Sequence, residues 1–154
     1  MRKVEPDKMS IDARYRAMLI LWIGQMMSLV MFLFFTQFIG DSSEEPAPAA
    51  NNVVSFVFAS VGSFSVIISF VVRSKLLQRS VEKQDPSLVQ TAVIAGCALC
   101  EVPGLLGVVE RFVLPGRDYL LLLAVSFVGM ALHFPRRENL LAASYKDPSY
   151  GATL

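Results

Sequence analysis

Long apolar runs without charged residues dominate this sequence. Residues 17–40 form a run of 24 residues without Asp, Glu, Lys or Arg, and residues 46–72 are also uncharged. A hydrocarbon core of about 30 Å requires about 20 residues of helix at about 1.5 Å each. Backbone groups in lipid must be hydrogen-bonded within the chain, and no period-two alternation indicates a barrel. These runs therefore predict membrane-spanning helices.

Two further segments bring the candidate spans to four. Residues 88–109 contain one charged residue, Glu101, and residues 119–135 contain none but are short for a bilayer. The charged residues that flank the short segment are expected to reach the two interfaces. The sequence predicts an all-α fold, a four-transmembrane-helix bundle that forms one integral membrane domain over 1–154. The expected helices cover about 14–40, 52–78, 86–112 and 117–135, with flexible ends at 1–9 and 144–154.

Lysine and arginine are distributed unevenly among the segments that connect these runs. Twelve of the fourteen lie in residues 1–16, 73–83 and 136–146, two lie at positions 111 and 117, and none lies in 41–51. The positive-inside rule then places both termini and the 73–83 loop in the cytoplasm, as an even number of spans requires. The predicted location is the bacterial inner membrane, and the basic loop is expected to prolong the second helix.

Composition and the few reactive residues exclude several classes of function. The net charge of +1 argues against a nucleic-acid partner. Cys97 and Cys100 are the only cysteines and lie within a predicted span, too few for a metal site, so they are interpreted as packing residues. His133 is the only histidine and is interpreted as a polar anchor at the cytoplasmic interface. Without a catalytic set or a glycine-rich phosphate loop, the prediction is no enzyme, no catalytic residue, no metal and no cofactor.

Glu101 is the ionisable residue expected deep inside a span. It lies about 14 residues, or about 21 Å, from the cytoplasmic start of its helix. A charge at that depth costs a few kcal/mol, so the carboxyl is expected to face other helices and to hold a proton much of the time. Matching depths along the other spans gives its candidate hydrogen-bond neighbours: Ser60, Ser63 and Ser126, with Ser65 and Ser28 at similar levels. The adjacent Glu110 and Arg111 are interpreted as an interfacial ion pair at the outer rim.

Small residues recur along the third predicted helix. Gly96, Cys100, Gly104 and Gly107 form a stripe that allows close helix packing, and Pro103 removes one backbone hydrogen bond beside Glu101. The second helix is also rich in small residues over 59–65. Helices two and three are therefore expected to form a tight hairpin, with the bulkier helices one and four as the outer wall.

The hairpin over 53–109 carries its carboxyl in the sequence Ala98-Leu99-Cys100-Glu101 and has a polar loop on the cytoplasmic side. This part resembles the proteolipid c subunit of rotary ATP synthases, whose ion-carrying carboxylate sits mid-membrane in the second helix, often within Ala-Leu-x-Glu. The resemblance implies that Glu101 alone is an ion-binding candidate. The whole chain is also similar to small bacterial four-helix membrane proteins with a Phe-Pro-Arg-Arg-type stop, here at 134–137, and that likeness implies no activity.

The sequence is consistent with two functions. The predicted function is a structural or accessory subunit that packs against a larger membrane complex or another copy of itself, with Glu101 as a hydrogen-bonding group in the bundle. The alternative is a proton- or cation-translocating subunit that uses Glu101 as the ion-binding carboxyl. The expected partners are the lipid bilayer and other membrane proteins.

Overall fold

The computed structural model describes residues 6–38, 49–114 and 118–144. These residues contain helices and no strand, which confirms the all-helical prediction. In chain order the helices are α1 (Pro6–Phe38), α2 (Ala49–Lys83), α3 (Pro86–Val113), α4 (Tyr119–Leu132) and α5 (Arg137–Ser144). The expected flexible ends fall mostly on residues 1–5 and 145–154, which lie outside the described part of the chain.

Three of these helices are long and apolar enough to cross a membrane. The most apolar 18 residues within Ile11–Phe38, Val53–Lys83 and Pro86–Val113 have mean hydropathies of 2.2, 2.1 and 2.0. The fourth expected span is different, because α4 has only 14 residues and is followed by a bend of 45° into α5. Pro135 lies in the break between them and has no amide hydrogen to continue the helix. The pair α4–α5 reaches spanning length only when taken together.

Two helices extend beyond the expected bounds of 14–40 and 52–78. α1 begins at Pro6 rather than near residue 14, and proline is well suited to a first helical position because its missing N–H needs no partner. α2 continues through the basic segment to Lys83, as expected for an extension of the second helix. The eight-residue helix α5 was not expected from the sequence.

A tight turn joins α2 to α3. The amide of Asp85 donates to the Ser80 carbonyl at 3.0 Å and that of Gln84 to the Val81 carbonyl at 3.2 Å, the two bonds of a Schellman motif. Gln84 adopts φ 51°, a left-handed conformation usually taken by glycine. Asp85 then caps α3, since its Oδ1 accepts the amide of Ser87 at 2.9 Å.

α3 lies at the centre of the bundle. Nearly half of its spanning stretch is buried, against about a tenth for α1 and α2. Large apolar side chains are exposed along α1 and α2, among them Ile20, Ile23, Met27, Met31, Phe34, Phe56, Phe64 and Ile67. Such a surface is typical of helices that face lipid.

α4 has one exposed and one buried face, so it lies at the outer wall, as expected, with Leu121, Val128 and Leu132 exposed. Leu122, Leu123 and Met130 are buried because α4 packs against the small-residue stripe of α3. A methyl group added at Gly107 would lie 3.0 Å from the Tyr119 carbonyl oxygen and 3.2 Å from Leu122 Cβ. The stripe therefore faces α4, while the α2–α3 hairpin, the most extensive helix pair, meets through other residues.

The C-terminal helix α5 returns to the beginning of α1. Leu140 and Ala143 are fully buried in the same apolar cluster as Ile11 and Met18. At the surface, Arg137 forms an ion pair with Asp12 at 2.7 Å, and both side chains are more than half exposed. Because exposed pairs contribute little, the apolar contacts hold α5 in place.

Candidate functional site

Glu101 lies on α3 with its side chain half-buried and turned toward α1. Its Oε1 accepts a hydrogen bond from the Ser28 hydroxyl of α1. Ser28 also lies 3.0 Å from the Gln25 carbonyl of its own helix, which fixes the hydroxyl position. No ion pair to Glu101 is present among the residues that the structure describes. The carboxyl therefore faces a neighbouring helix, as expected, through a serine.

The α3 turn around Glu101 receives one serine hydroxyl from each of three helices. Ser65 of α2 lies 3.1 Å from the Leu99 carbonyl oxygen, and Ser126 of α4 lies 2.6 Å from that of Cys100. Pro103 has no amide hydrogen to donate to Leu99. The Ser65 hydroxyl shares its one hydrogen between the Leu99 carbonyl and the Gly62 carbonyl of its own helix, which lies at 2.8 Å, and so replaces part of the donor that the proline removes. Together with Ser28, these serines tie the centre of α3 to α2, α4 and α1.

None of the three serines predicted as hydrogen-bond neighbours of Glu101 contacts its carboxyl: Ser126 instead donates to the Cys100 carbonyl, and the other two lie elsewhere. The Ser60 hydroxyl donates to the Phe56 carbonyl within α2 at 2.8 Å and is exposed. Ser63 is also exposed and lines a cleft near the end of the bundle. The reason is helix phase, because α2 meets α3 through Gly62, where an added methyl would be 2.9 Å from Pro103 Cβ. Ser65 shares the face of Gly62, whereas Ser60 and Ser63 point away.

His133 is not an interfacial anchor. It is fully buried at the end of α4, with Nδ1 2.8 Å from the Gly129 carbonyl oxygen and 3.6 Å from Cys100 Sγ. The Phe70 ring packs on the imidazole at 4.6 Å between centroids. Glycine at position 96 makes room for the ring, since a methyl there would lie 2.9 Å from Nε2. The imidazole can be buried between α3 and α4 because Gly96 has no side chain to occupy the space that the ring fills.

The two cysteines are buried and free, in line with a packing role. Cys100 Sγ also lies 3.3 Å from the Ser69 hydroxyl of α2. Among the described residues, no group of three or more His, Cys, Asp and Glu is placed to hold a metal ion.

The end of α4 is bound by side chains from two other helices. Arg73 of α2 donates to the carbonyl oxygens of Leu132 at 3.0 Å and Phe134 at 3.1 Å. The Trp22 indole of α1 donates to the Met130 carbonyl at 3.0 Å, and its ring meets Phe134 edge-on at 5.2 Å. Arg73 satisfies two carbonyls that the end of the helix leaves without backbone partners and complements the helix dipole, whereas the Met130 carbonyl also accepts from the His133 amide.

Glu110 and Arg111 do not form the ion pair expected at the rim. Glu110 is 3% exposed, and its Oε1 accepts a hydrogen bond from Ser55 of α2. Its Oε2 has no hydrogen-bond partner among the described residues. Arg111 instead donates to the Thr36 carbonyl of α1 at 3.2 Å and lies over the Tyr119 ring at 5.4 Å. Successive residues on a helix point about 100° apart, so the two side chains reach different neighbours.

A cleft of about 390 Å³ opens beside Glu110 between α2 and α4. Asp118, which precedes α4, stands at this cleft and makes no side-chain bond to the helix start. The lining residues are Ser55, Phe56, Ala59, Ser63, Glu110, Asp118, Leu121, Leu122 and Val125. The sequence did not reveal this combination of a buried carboxyl, a second carboxylate and apolar walls. Glu110 is followed by Arg111, and this neighbour suggested an ion pair instead.

Comparisons with family models, curated proteins and solved structures found no match to the chain.

Proposed function

We propose that this chain is a four-span protein of the bacterial inner membrane that serves as a structural or accessory subunit of a larger membrane assembly. In this proposal α4 and α5 together form the fourth span, and both termini lie in the cytoplasm. The three long apolar helices and the exposed apolar surface of α1 and α2 support a membrane location. The distribution of lysine and arginine supports the orientation.

The observation that carries the structural role is the hydrogen bond from Ser28 to Glu101. It joins α1 to α3 through two half-buried side chains, and hydroxyls of Ser65 and Ser126 contact the backbone of the same turn. A group bound in this way orients the helices that surround it. Glu101 thus forms an interhelical hydrogen bond that keeps α1, with its exposed apolar surface, in a fixed position against α3.

The test compares Glu101→Gln with Glu101→Leu in mild detergent. Glutamine keeps an oxygen that accepts from Ser28, so we expect wild-type stability and unchanged co-purification of partner proteins. Leucine removes the acceptor, which should cost about 0.6–1.7 kcal/mol, the range of hydrogen bonds between membrane helices. Equal stability of the leucine variant and the wild type would contradict a structural role for the Ser28–Glu101 hydrogen bond. Purification as a lone monomer without any partner would contradict the accessory role.

Orientation is tested separately with single cysteines at exposed positions. Arg79→Cys lies in the part of α2 expected on the cytoplasmic side, and Asp118→Cys lies on the opposite side. A membrane-impermeant maleimide added to intact cells should label position 118 and not position 79. The reverse pattern would refute the orientation.

A second candidate function is proton or cation transfer at Glu101. One observation favours it: the carboxyl is only half-buried and lies two residues from Pro103, where the α3 backbone lacks a hydrogen bond. If Glu101 carries an ion, Glu101→Gln abolishes flux in vesicles and a hydrophobic carbodiimide labels the wild type at this residue. Under the structural role, flux is absent from both proteins and the glutamine variant assembles normally.

A further inference from the structure

The cleft beside Glu110 has features that the structural role does not use. Its volume of about 390 Å³ lies within the range of roughly 300–1,000 Å³ that is usual for small-molecule sites. Apolar side chains of α2 and α4 form most of the wall, and the polar lining consists of two hydroxyls and two carboxylates. A mostly apolar pocket with a few convergent polar groups is the usual composition of such sites.

Glu110 supplies the observation that points to a ligand. Its side chain is 3% exposed and forms part of the cleft wall, yet one carboxylate oxygen has no hydrogen-bond partner among the described residues. Burying a carboxylate is costly unless a donor or a cation balances it. Ser55 provides one donor, which leaves the second oxygen without one. A positive group in the cleft beside Glu110 would balance the charge of this carboxylate.

Asp118 adds a second negative charge where the cleft meets solvent. It is exposed, and its carboxylate is not used to cap α4. Two carboxylates facing one space repel anions and favour a cation. Two acidic side chains with apolar walls suit an organic cation better than a bare metal ion, which requires more oxygen ligands.

We propose that this cleft binds an organic cation, a protonated amine on an apolar body. The ammonium group lies near Ser55, Glu110 and Asp118, and the apolar body packs against Phe56 and Leu121. Two sources share this chemistry, a free amphiphilic amine and the head group of an aminolipid. An aminolipid differs from a free amine in carrying a phosphate, whose negative charge would lie close to the same carboxylates. Competition between the two therefore distinguishes these sources.

The experiment uses the full chain in nanodiscs of phosphatidylcholine and phosphatidylglycerol, with empty discs subtracted. Three probes share one naphthyl body: 1-naphthylmethylamine, 1-naphthalenemethanol and 1-naphthoate. Calorimetric titration is expected to show saturable binding of the amine, with the alcohol and the carboxylate weaker by about tenfold or more.

Three variants locate the site. Glu110→Gln keeps the shape and an acceptor for Ser55 but removes the charge, so it should weaken amine binding by about tenfold or more. Ala59→Phe fills the cleft and leaves both carboxylates in place, so it should abolish binding. Glu138→Gln removes an exposed carboxylate on α5 and serves as the matched control with unchanged affinity.

The outcomes separate the proposal from its alternatives. If added phosphatidylethanolamine displaces the amine, the source is an aminolipid, and if it does not, the source is a free amine; both results support the proposed class. Equal binding of amine and alcohol, wild-type affinity in Glu110→Gln, or the absence of saturable binding would overturn it. Circular dichroism of each variant shows that a loss of binding is not a loss of fold.

Discussion

Replacing Gly96 with alanine tests whether the buried histidine fixes the distance between α3 and α4. The new methyl would lie 2.9 Å from His133 Nε2 and nearer still to Cδ2. The ring cannot easily move aside, because it is fully buried and its Nδ1 is 2.8 Å from the Gly129 carbonyl oxygen. Alanine gains about 0.5–1 kcal/mol over glycine within a helix, whereas overpacking costs about 1–3 kcal/mol. We expect a net loss of about 1–2 kcal/mol.

Gly24 provides the matched control, because a methyl there meets nothing within 4 Å. Gly24→Ala should therefore stabilise the protein by about 0.5–1 kcal/mol. Unfolding in mixed micelles by added dodecyl sulfate, followed by circular dichroism, gives both values. In a His133→Ala background the Gly96→Ala loss should shrink by about 1 kcal/mol or more, since the clashing ring is gone. The reasoning is refuted if Gly96→Ala is as stable as Gly24→Ala, or if the two sites show no coupling.

Three further predictions use the same unfolding assay. Ser65→Ala should lower the free energy of unfolding by about 1 kcal/mol in the wild type. The loss should be clearly smaller in a Pro103→Ala background, where the α3 backbone regains an amide donor, and equal losses in the two backgrounds would contradict this. Gln84→Gly should stabilise by up to about 1 kcal/mol, because glycine adopts φ 51° without strain, and a destabilised variant would show that the side chain matters more. Hydrogen bonds from Ser87 lower the pKa of Asp85. The stabilisation of the fold by the Asp85 carboxylate is therefore complete above the pKa of the unfolded chain and is lost as the pH falls through the lower pKa of the folded protein. Asp85→Asn should remove this dependence between about pH 6 and about pH 3, and an unchanged pH profile of stability would disprove it.

The long helices could be predicted from the sequence because membrane length and hydropathy are properties of single segments. α1, α2 and α3 each satisfy them without reference to the rest of the chain. The fourth expected span was harder to predict, since a break at 133–136 separates α4 from α5. Pro135 marks the break in the sequence, but a bend of 45° and the return of α5 to α1 depend on tertiary contacts.

Side-chain partners required knowledge of helix rotation as well as depth. Depth alone ranked Ser60 and Ser63 with Ser65, although only the last shares the α3-facing side of α2 with Gly62. The spacing of three between Gly62 and Ser65 was the available signal. The burial of His133 had no comparable local signal, because it depends on small residues of α3 and α4 that come together only in the folded bundle.

The hydrogen bonds between Arg73 and the end of α4 have a consequence for how the protein is made. Arg73 is synthesised 59 residues before its acceptor at Leu132, so its guanidinium exists before the carbonyl that later accepts from it. Formation of α4 therefore completes the hydrogen bonding of α2. A chain that ended before Leu132 would leave the Arg73 guanidinium without both of these carbonyl acceptors.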